Sequence, residues 1–223
     1  MRGLETGMLA NPGRDATSLT IVEVDLGLVG EELIRKPTYR VVGRHMWTGE
    51  KQAEQYRRIR ALAELWGARF IVVDASGVGA GLASFLRDSL GERVIPVVFN
   101  AAVKSHLGWG FLAVIDSGRF KDYACKDGEE CKVLHDLFFR QLEQVQYSVQ
   151  AGPEKHIRWG VPEDVRDHTS GELLHDDLVL SAALVSILDE QHWVPGGSPA
   201  LLQAVDPLIE IDKGGENGIF HSK

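Results

Sequence analysis

Two hydrophobic periods alternate along this chain. The run Ser18-Leu19-Thr20-Ile21-Val22-Glu23-Val24-Asp25 is β-branched and predicts a strand. After a loop from Gly27 to Pro37, the segment Tyr39 to Trp47 reads as its hairpin partner. Tyr56, Ile59, Leu62, Ala63, Leu65 and Trp66 then recur at helical spacing, and Gly67 is a natural stop. Phe70-Ile71-Val72-Val73 is a short continuous apolar run, the pattern of a strand buried on both faces, and it ends at Asp74. A glycine-rich turn leads to a helix over 81–90, and Val94 to Phe99 reads as another strand. Helical spacing returns over 105–116 and again over 133–143, with a polar surface insertion between them. Gln146 to Val149 and Ile157 to Trp159 fit a hairpin across Gly152-Pro153. From His175-Asp176-Asp177 through Leu188 the chain is apolar nearly all round, which predicts a buried helix. Strands first, then strand and helix in alternation, point to an α/β domain with a mixed central β-sheet flanked by helices.

Composition narrows this picture. The 223 residues suit one domain, read here as residues 1–192 with a surface insertion at 121–132, followed by a loosely ordered tail at 193–223. With 44% apolar and 25% charged residues, wholesale disorder is excluded. No apolar run approaches the ~20 residues of a membrane helix, so no membrane partner is expected. The first residues lack the apolar core of a secretory signal, and two cysteines make no disulfide framework, so a reducing cytoplasm is the expected compartment. A net charge of −8 argues against coating nucleic acid by bulk charge, but leaves room for an enzyme whose acidic residues hold metal ions.

The candidate chemistry is carboxylate chemistry. Asp74 sits at the C-terminal end of a central strand, where α/β sheets usually place their sites, although a turn-forming role is the alternative. Asp176 and Asp177 open an apolar helix, where one carboxylate can cap free backbone N–H groups and the second has no capping duty. Acidic groups converging from separate elements suit Mg²⁺-type ions, two of which can cleave a phosphodiester. Gly77-Val78-Gly79-Ala80-Gly81 is a poor dinucleotide fingerprint, because Leu82 stands where the third glycine belongs. Cys125, Cys131 and His135 resemble part of a zinc set, but their spacing is irregular and a plain surface insertion fits better. The Arg57-Arg58-Arg60 cluster is either a phosphate contact or a solvated helix face.

Phe70-Ile71-Val72-Val73-Asp74-Ala75-Ser76-Gly77-Val78-Gly79-Ala80-Gly81-Leu82, followed later by His175-Asp176-Asp177-Leu178-Val179-Leu180-Ser181-Ala182, resembles the nuclease domain of the large terminase subunit of tailed bacteriophages. Val103-Lys104-Ser105 and Ser117-Gly118-Arg119-Phe120 occupy the places of the family's lysine turn and Gly-Arg step, and Gly13-Arg14-Asp15-Ala16-Thr17-Ser18-Leu19-Thr20 resembles its first turn and strand. The resemblance implies a ribonuclease H-like fold and a two-metal endonuclease using Mg²⁺ or Mn²⁺ to cut concatemeric double-stranded DNA during packaging. It implies Asp74, Asp176 and Asp177 as metal-binding catalytic acids, Asp15 as a further acid on the first turn, Lys104 as a phosphate contact and Arg119 as a DNA contact. It implies association with a terminase ATPase domain, the small terminase subunit and the portal, in the cytoplasm of a bacterial host carrying a phage or prophage. No Gly-x-x-x-x-Gly-Lys-Ser/Thr loop occurs, so the ATPase half is expected elsewhere. The family also carries an Asp on its first strand. The matching place here, Met8-Leu9, has none, and Glu5 is the only acid among residues 1–14. The alternatives are thus a catalytically impaired fragment that binds DNA or portal, or another ribonuclease H-like nuclease such as a resolvase.

Overall fold

A computed structural model describes residues 16–26, 36–126, 129–153, 155–191 and 193, together with the backbone of residues 2–9. The chain divides into a body, Met1–His192, and a second unit, Trp193–Lys223, and every element described belongs to the body. The expected loosely ordered tail, Trp193 apart, lies outside the described residues.

Three strands open the chain as an antiparallel meander: β1 (Arg2–Leu9), β2 (Ala16–Asp25) and β3 (Thr38–Thr48). Then come α1 (Gln52–Leu65), β4 (Ile71–Asp74), α2 (Gly79–Leu90), β5 (Val94–Val97), α3 (Ala101–Asp116), β6 (Phe120–Lys121) and α4 (Lys132–Gln144). A hairpin, β7 (Gln146–Val149) and β8 (Ile157–Gly160), precedes α5 (Asp177–Ala183) and α6 (Val185–Leu188). The main sheet has the order β5-β4-β1-β2-β3-β6. Only β2 runs against the others, because β4 is parallel to β1 and to β5, and β6 is parallel to β3. The expected mixed α/β sheet is therefore present.

Residue alternation along β2 divides the core into two faces. Leu19 and Ile21 join Ile71 and Val73 of β4, Ile59 and Ala63 of α1, and Leu82 and Leu86 of α2 in one apolar cluster. Thr20 turns to the other face, where the Ser181 hydroxyl of α5 donates to it at 3.0 Å. There α5, apolar on every side as its sequence predicts, packs on β1 and β2 and is covered by α3 and α4.

Four boundaries differ from the sequence reading, each for a local reason. β1 shows no two-residue alternation; its backbone is satisfied by pairing with β2 on one side and β4 on the other. α3 starts four residues early because the Asn100 side chain caps it, accepting from Val103 N at 2.9 Å. The single buried helix expected through Leu188 is broken at Leu184 into α5 and α6. Residues 121 and 132 belong to β6 and α4, which leaves 122–131 between regular elements.

Candidate metal centre

Asp74 is the last residue of β4 and only 2% exposed. Ala75 N–H adds one more bond to Val97 O of β5, and the chain then leaves the strand in the turn at Ser76-Gly77, where Gly77 takes a φ of +52°. Ser76 N–H donates to Asp74 Oδ1 at 2.7 Å, and the Ser76 hydroxyl accepts from Phe99 N at 2.7 Å. The carboxylate is thereby locked in orientation from the strand end and from the loop after β5. Burial pushes its pKa up; the Ser76 bonds and the positive charge of Lys104 pull the other way without cancelling it.

Lys104 stands in the first turns of α3, with its ammonium over the Phe99 ring at 5.7 Å from the centroid. The hairpin is seated against this part of α3. Trp159 Nε1 donates to Lys104 O at 2.6 Å, and Ile157 N–H donates to the Ser105 hydroxyl at 2.9 Å. Gly108 makes the seat possible, since a Cβ there would overlap the Trp159 indole and approach Ile157 Cδ1 to 2.8 Å. Between the hairpin, α3 and the segment leading into α5 lies a groove lined by Lys104, Arg158, Gly160, His175 and Asp176 among others.

Asp176 and Asp177 enter α5 at the groove's edge. Asp176 is half-buried and Asp177 is 7% exposed. Gly160 ends β8 at φ +144°, and the Asp176 carboxylate lies where a Cβ of that residue would stand. Among the described residues neither carboxylate of the pair takes part in an ion pair, and Asp176 makes no side-chain cap bond to its helix. The first amides of α5 are satisfied instead by Gln141 of α4, whose Oε1 accepts from Leu178 N at 3.0 Å and Val179 N at 3.4 Å. Burial raises the Asp177 carboxyl to about 6, with the neighbouring Asp176 adding to the rise and His175 opposing it.

Residues 33–135, which include Asp74 and Lys104, match the family model described as Terminase RNaseH-like domain. A 67-residue stretch is 30% identical to the "Probable terminase, ATPase subunit" of Haemophilus phage HP1 (strain HP1c1), covering 30% of this chain and 11% of that protein. Among solved structures, the large terminase nuclease of thermophilic phage G20c superposes with a TM-score of 0.58 at 19% identity, over 82% of this chain and 80% of that one. The same nuclease with bound magnesium gives 0.55 at 21% identity, over 83% and 81%. A variant nuclease domain of the large terminase subunit of bacterial virus Sf6, with manganese and beta-thujaplicinol, gives 0.54 at 14% identity, over 83% and 87%.

The body has a ribonuclease H-like fold, similar to that of large terminase nuclease domains.

Within this fold the residues singled out from sequence separate into two groups. Asp74 and Lys104 are brought together, Lys104 and Asp176 share one groove, and Asp177 adjoins them. The three acids do not crowd to ligand spacing. Among the described residues, the one set of three candidate ligand atoms within 4.8 Å of one another is Cys125, Glu129 and Cys131. Like charges at that spacing repel unless a cation lies among them.

Arg119 is the clear correction. It is 4% exposed, its guanidinium grips Asp189 at 2.8 and 2.6 Å, and it donates to Pro37 O at 2.9 Å, so it presents no donor face to a phosphate. Asp15 lies outside the described residues. The backbone of Glu5 pairs with Thr20 and Val72 in the middle of β1. The Arg57-Arg58-Arg60 cluster is a solvated face, paired with Glu54, Glu50 and Glu64. Cys125 and Cys131 are joined in a disulfide, so neither thiol is available as a zinc ligand, and His135 Nδ1 faces Asp136 at 3.2 Å. Gln141 is the residue that sequence reasoning missed. On an amphipathic helix it looks like any polar position, yet it is 1% exposed; its place three residues after the buried Phe138 is the available signal.

Proposed function

We propose that this chain is the metal-dependent endonuclease domain of a phage or prophage large terminase subunit, cutting concatemeric double-stranded DNA as genomes are packaged. The carrying observation is a set of acids on two separate elements: Asp176 lines a groove with Lys104, the buried Asp74 lies within the field of the same Lys104, and the buried Asp177 follows Asp176 with no protein cation paired to it among the described residues. A buried carboxylate costs free energy unless a cation or donors meet it. Hard oxygen donors with room for water suit Mg²⁺ or Mn²⁺, and similar nuclease domains have been solved with magnesium and with manganese. Asp74, Asp176 and Asp177 would hold the metal, with Asp15 as a further acid from the first turn. A bound ion of this kind supplies an activated water and stabilises the leaving oxygen.

The chain's own residues prepare that chemistry. Ser76 fixes the Asp74 carboxylate, Gly160 makes room for that of Asp176, and Lys104 sets a positive charge in the groove where a phosphate would approach. The ATPase domain, small subunit and portal are the partners that the terminase reading brings with it. A second reading has its own support: Met8-Leu9, at the C-terminal end of β1 beside the parallel β4, offers no carboxylate, which favours weak cleavage by a DNA- or portal-binding module.

Supercoiled plasmid nicking with Mn²⁺ or Mg²⁺ decides between them. Nicking that Asp74→Ala abolishes supports the endonuclease. Nicking that survives both Asp74→Ala and Asp177→Asn overturns this site. Metal binding without cleavage supports the impaired module, and a preference for branched over linear duplex points to a resolvase-like enzyme.

A further inference from the structure

The two acids at the start of α5 differ from an ordinary helix entry in one respect. An aspartate at the N-cap position normally turns its carboxylate back to accept from the second and third amides of the helix. Asp176 occupies that position without doing so, and the amides concerned, Leu178 and Val179, both donate to Gln141 Oε1 from a different helix. Gln141 is 1% exposed, so no water competes for its acceptor. The Asp176 carboxylate meanwhile lies against Gly160, at a backbone φ of +144° and in space that any side chain on that residue would fill. The two observations are independent: one removes the reason for Asp176 to fold back on its helix, and the other provides the place where it goes.

We propose that Gln141 is a positioning residue, capping α5 from α4 so that the Asp176 carboxylate is kept out of its own helix cap and held toward Gly160 and the groove. The inference rests on reading Asp176 as a metal-binding acid, but part of its test does not. Gln141→Met keeps the volume and removes the acceptor; Asp176 then turns back to cap Leu178 and Val179. Mn²⁺ binding, followed by the free-ion paramagnetic resonance signal, is expected to weaken by about 10- to 100-fold, the usual effect of losing an outer-shell partner. Gln141→Glu, which restores an acceptor, is expected to regain wild-type Mn²⁺ affinity. A residue that only stabilised the fold would lower the melting temperature of both variants and leave their Mn²⁺ affinity unchanged, and that result overturns the proposal.

The metal-free arm uses Asp176→Ala in EDTA, with Gln141 intact. If Gln141 is the cap, its melting temperature does not fall below the wild-type value, and it can rise because Asp177 loses a like-charged neighbour. A fall of about 2–4 °C, the loss of a true N-cap in a chain of this size, overturns the proposal whatever the metal does. Wild-type protein that binds no Mn²⁺ overturns the metal reading of the site, and the EDTA melting result then still judges the cap.

Discussion

The Asp177 carboxyl releases its proton at about 6 in the folded chain, against 3.8 for the ordinary group, because burial disfavours its charge and Asp176 stands beside it. The folded state therefore holds more protons than the unfolded state between those values. Stability of the metal-free protein is accordingly greatest below about pH 4, declines as pH rises to about 6, and is level beyond, as far as this group is concerned. Asp177→Asn removes the buried charge, and urea titration in EDTA at pH 8 should show a gain of up to about 2–3 kcal/mol. The same variant should lose the rise in melting temperature that Mn²⁺ gives the wild type. Mn²⁺ affinity of the wild type should climb with pH through about 6, since the ligand must be ionised.

Two joints hold the elements that frame the groove. The first is the seat of the β7–β8 hairpin on α3, where Gly108 admits the Trp159 indole. Gly108→Ala forces Trp159 aside even though alanine is the better helix former; a red-shifted Trp emission and weaker DNA binding are the expected readouts. The second joint is the bidentate Arg119–Asp189 pair, which fastens the β6 edge to the end of α6 with Tyr39 also donating to Asp189. Arg119→Ala strands a largely buried carboxylate and should cost about 3 kcal/mol by urea titration. Its Mn²⁺ affinity should not change, which separates this structural role from the DNA contact expected of it by resemblance.

At the scale of the whole molecule, the sheet order puts β1 between β2 and β4, so its C-terminal end adjoins the end of β4 that carries Asp74. A carboxylate installed there should add to the acids that Asp74 and Asp176-Asp177 already supply. Met8→Asp or Leu9→Asp is expected to raise plasmid nicking in Mn²⁺ well above the wild-type level, provided Asp74 is intact. Unchanged nicking in both variants would show that the missing first-strand acid is not what limits cleavage. The overall charge of −8 takes on a narrower meaning in this setting. Some of the excess acid is the groove's own, and DNA would be engaged locally through cations and Lys104 instead of through a basic surface.

Much of this was legible in residue order. The apolar run ending at Asp74 and the all-apolar helix behind Asp176-Asp177 announced a central strand and a buried helix, because hydrophobic period and burial are local properties of the chain. The turn Ser76-Gly77 is equally local, whereas the Asn100 cap went unread and α3 was placed four residues short. β1 was not legible, since a strand without alternation exists only through its two neighbours. Nor was the fate of Arg119, Gln141 or the two cysteines, whose surroundings come from residues far away in sequence. By itself the sequence determined which acids could serve as ligands and which elements would carry them. The tertiary structure decided which of those groups are buried, which are already paired, and which face one groove, because desolvation and pairing depend on what packs across the fold.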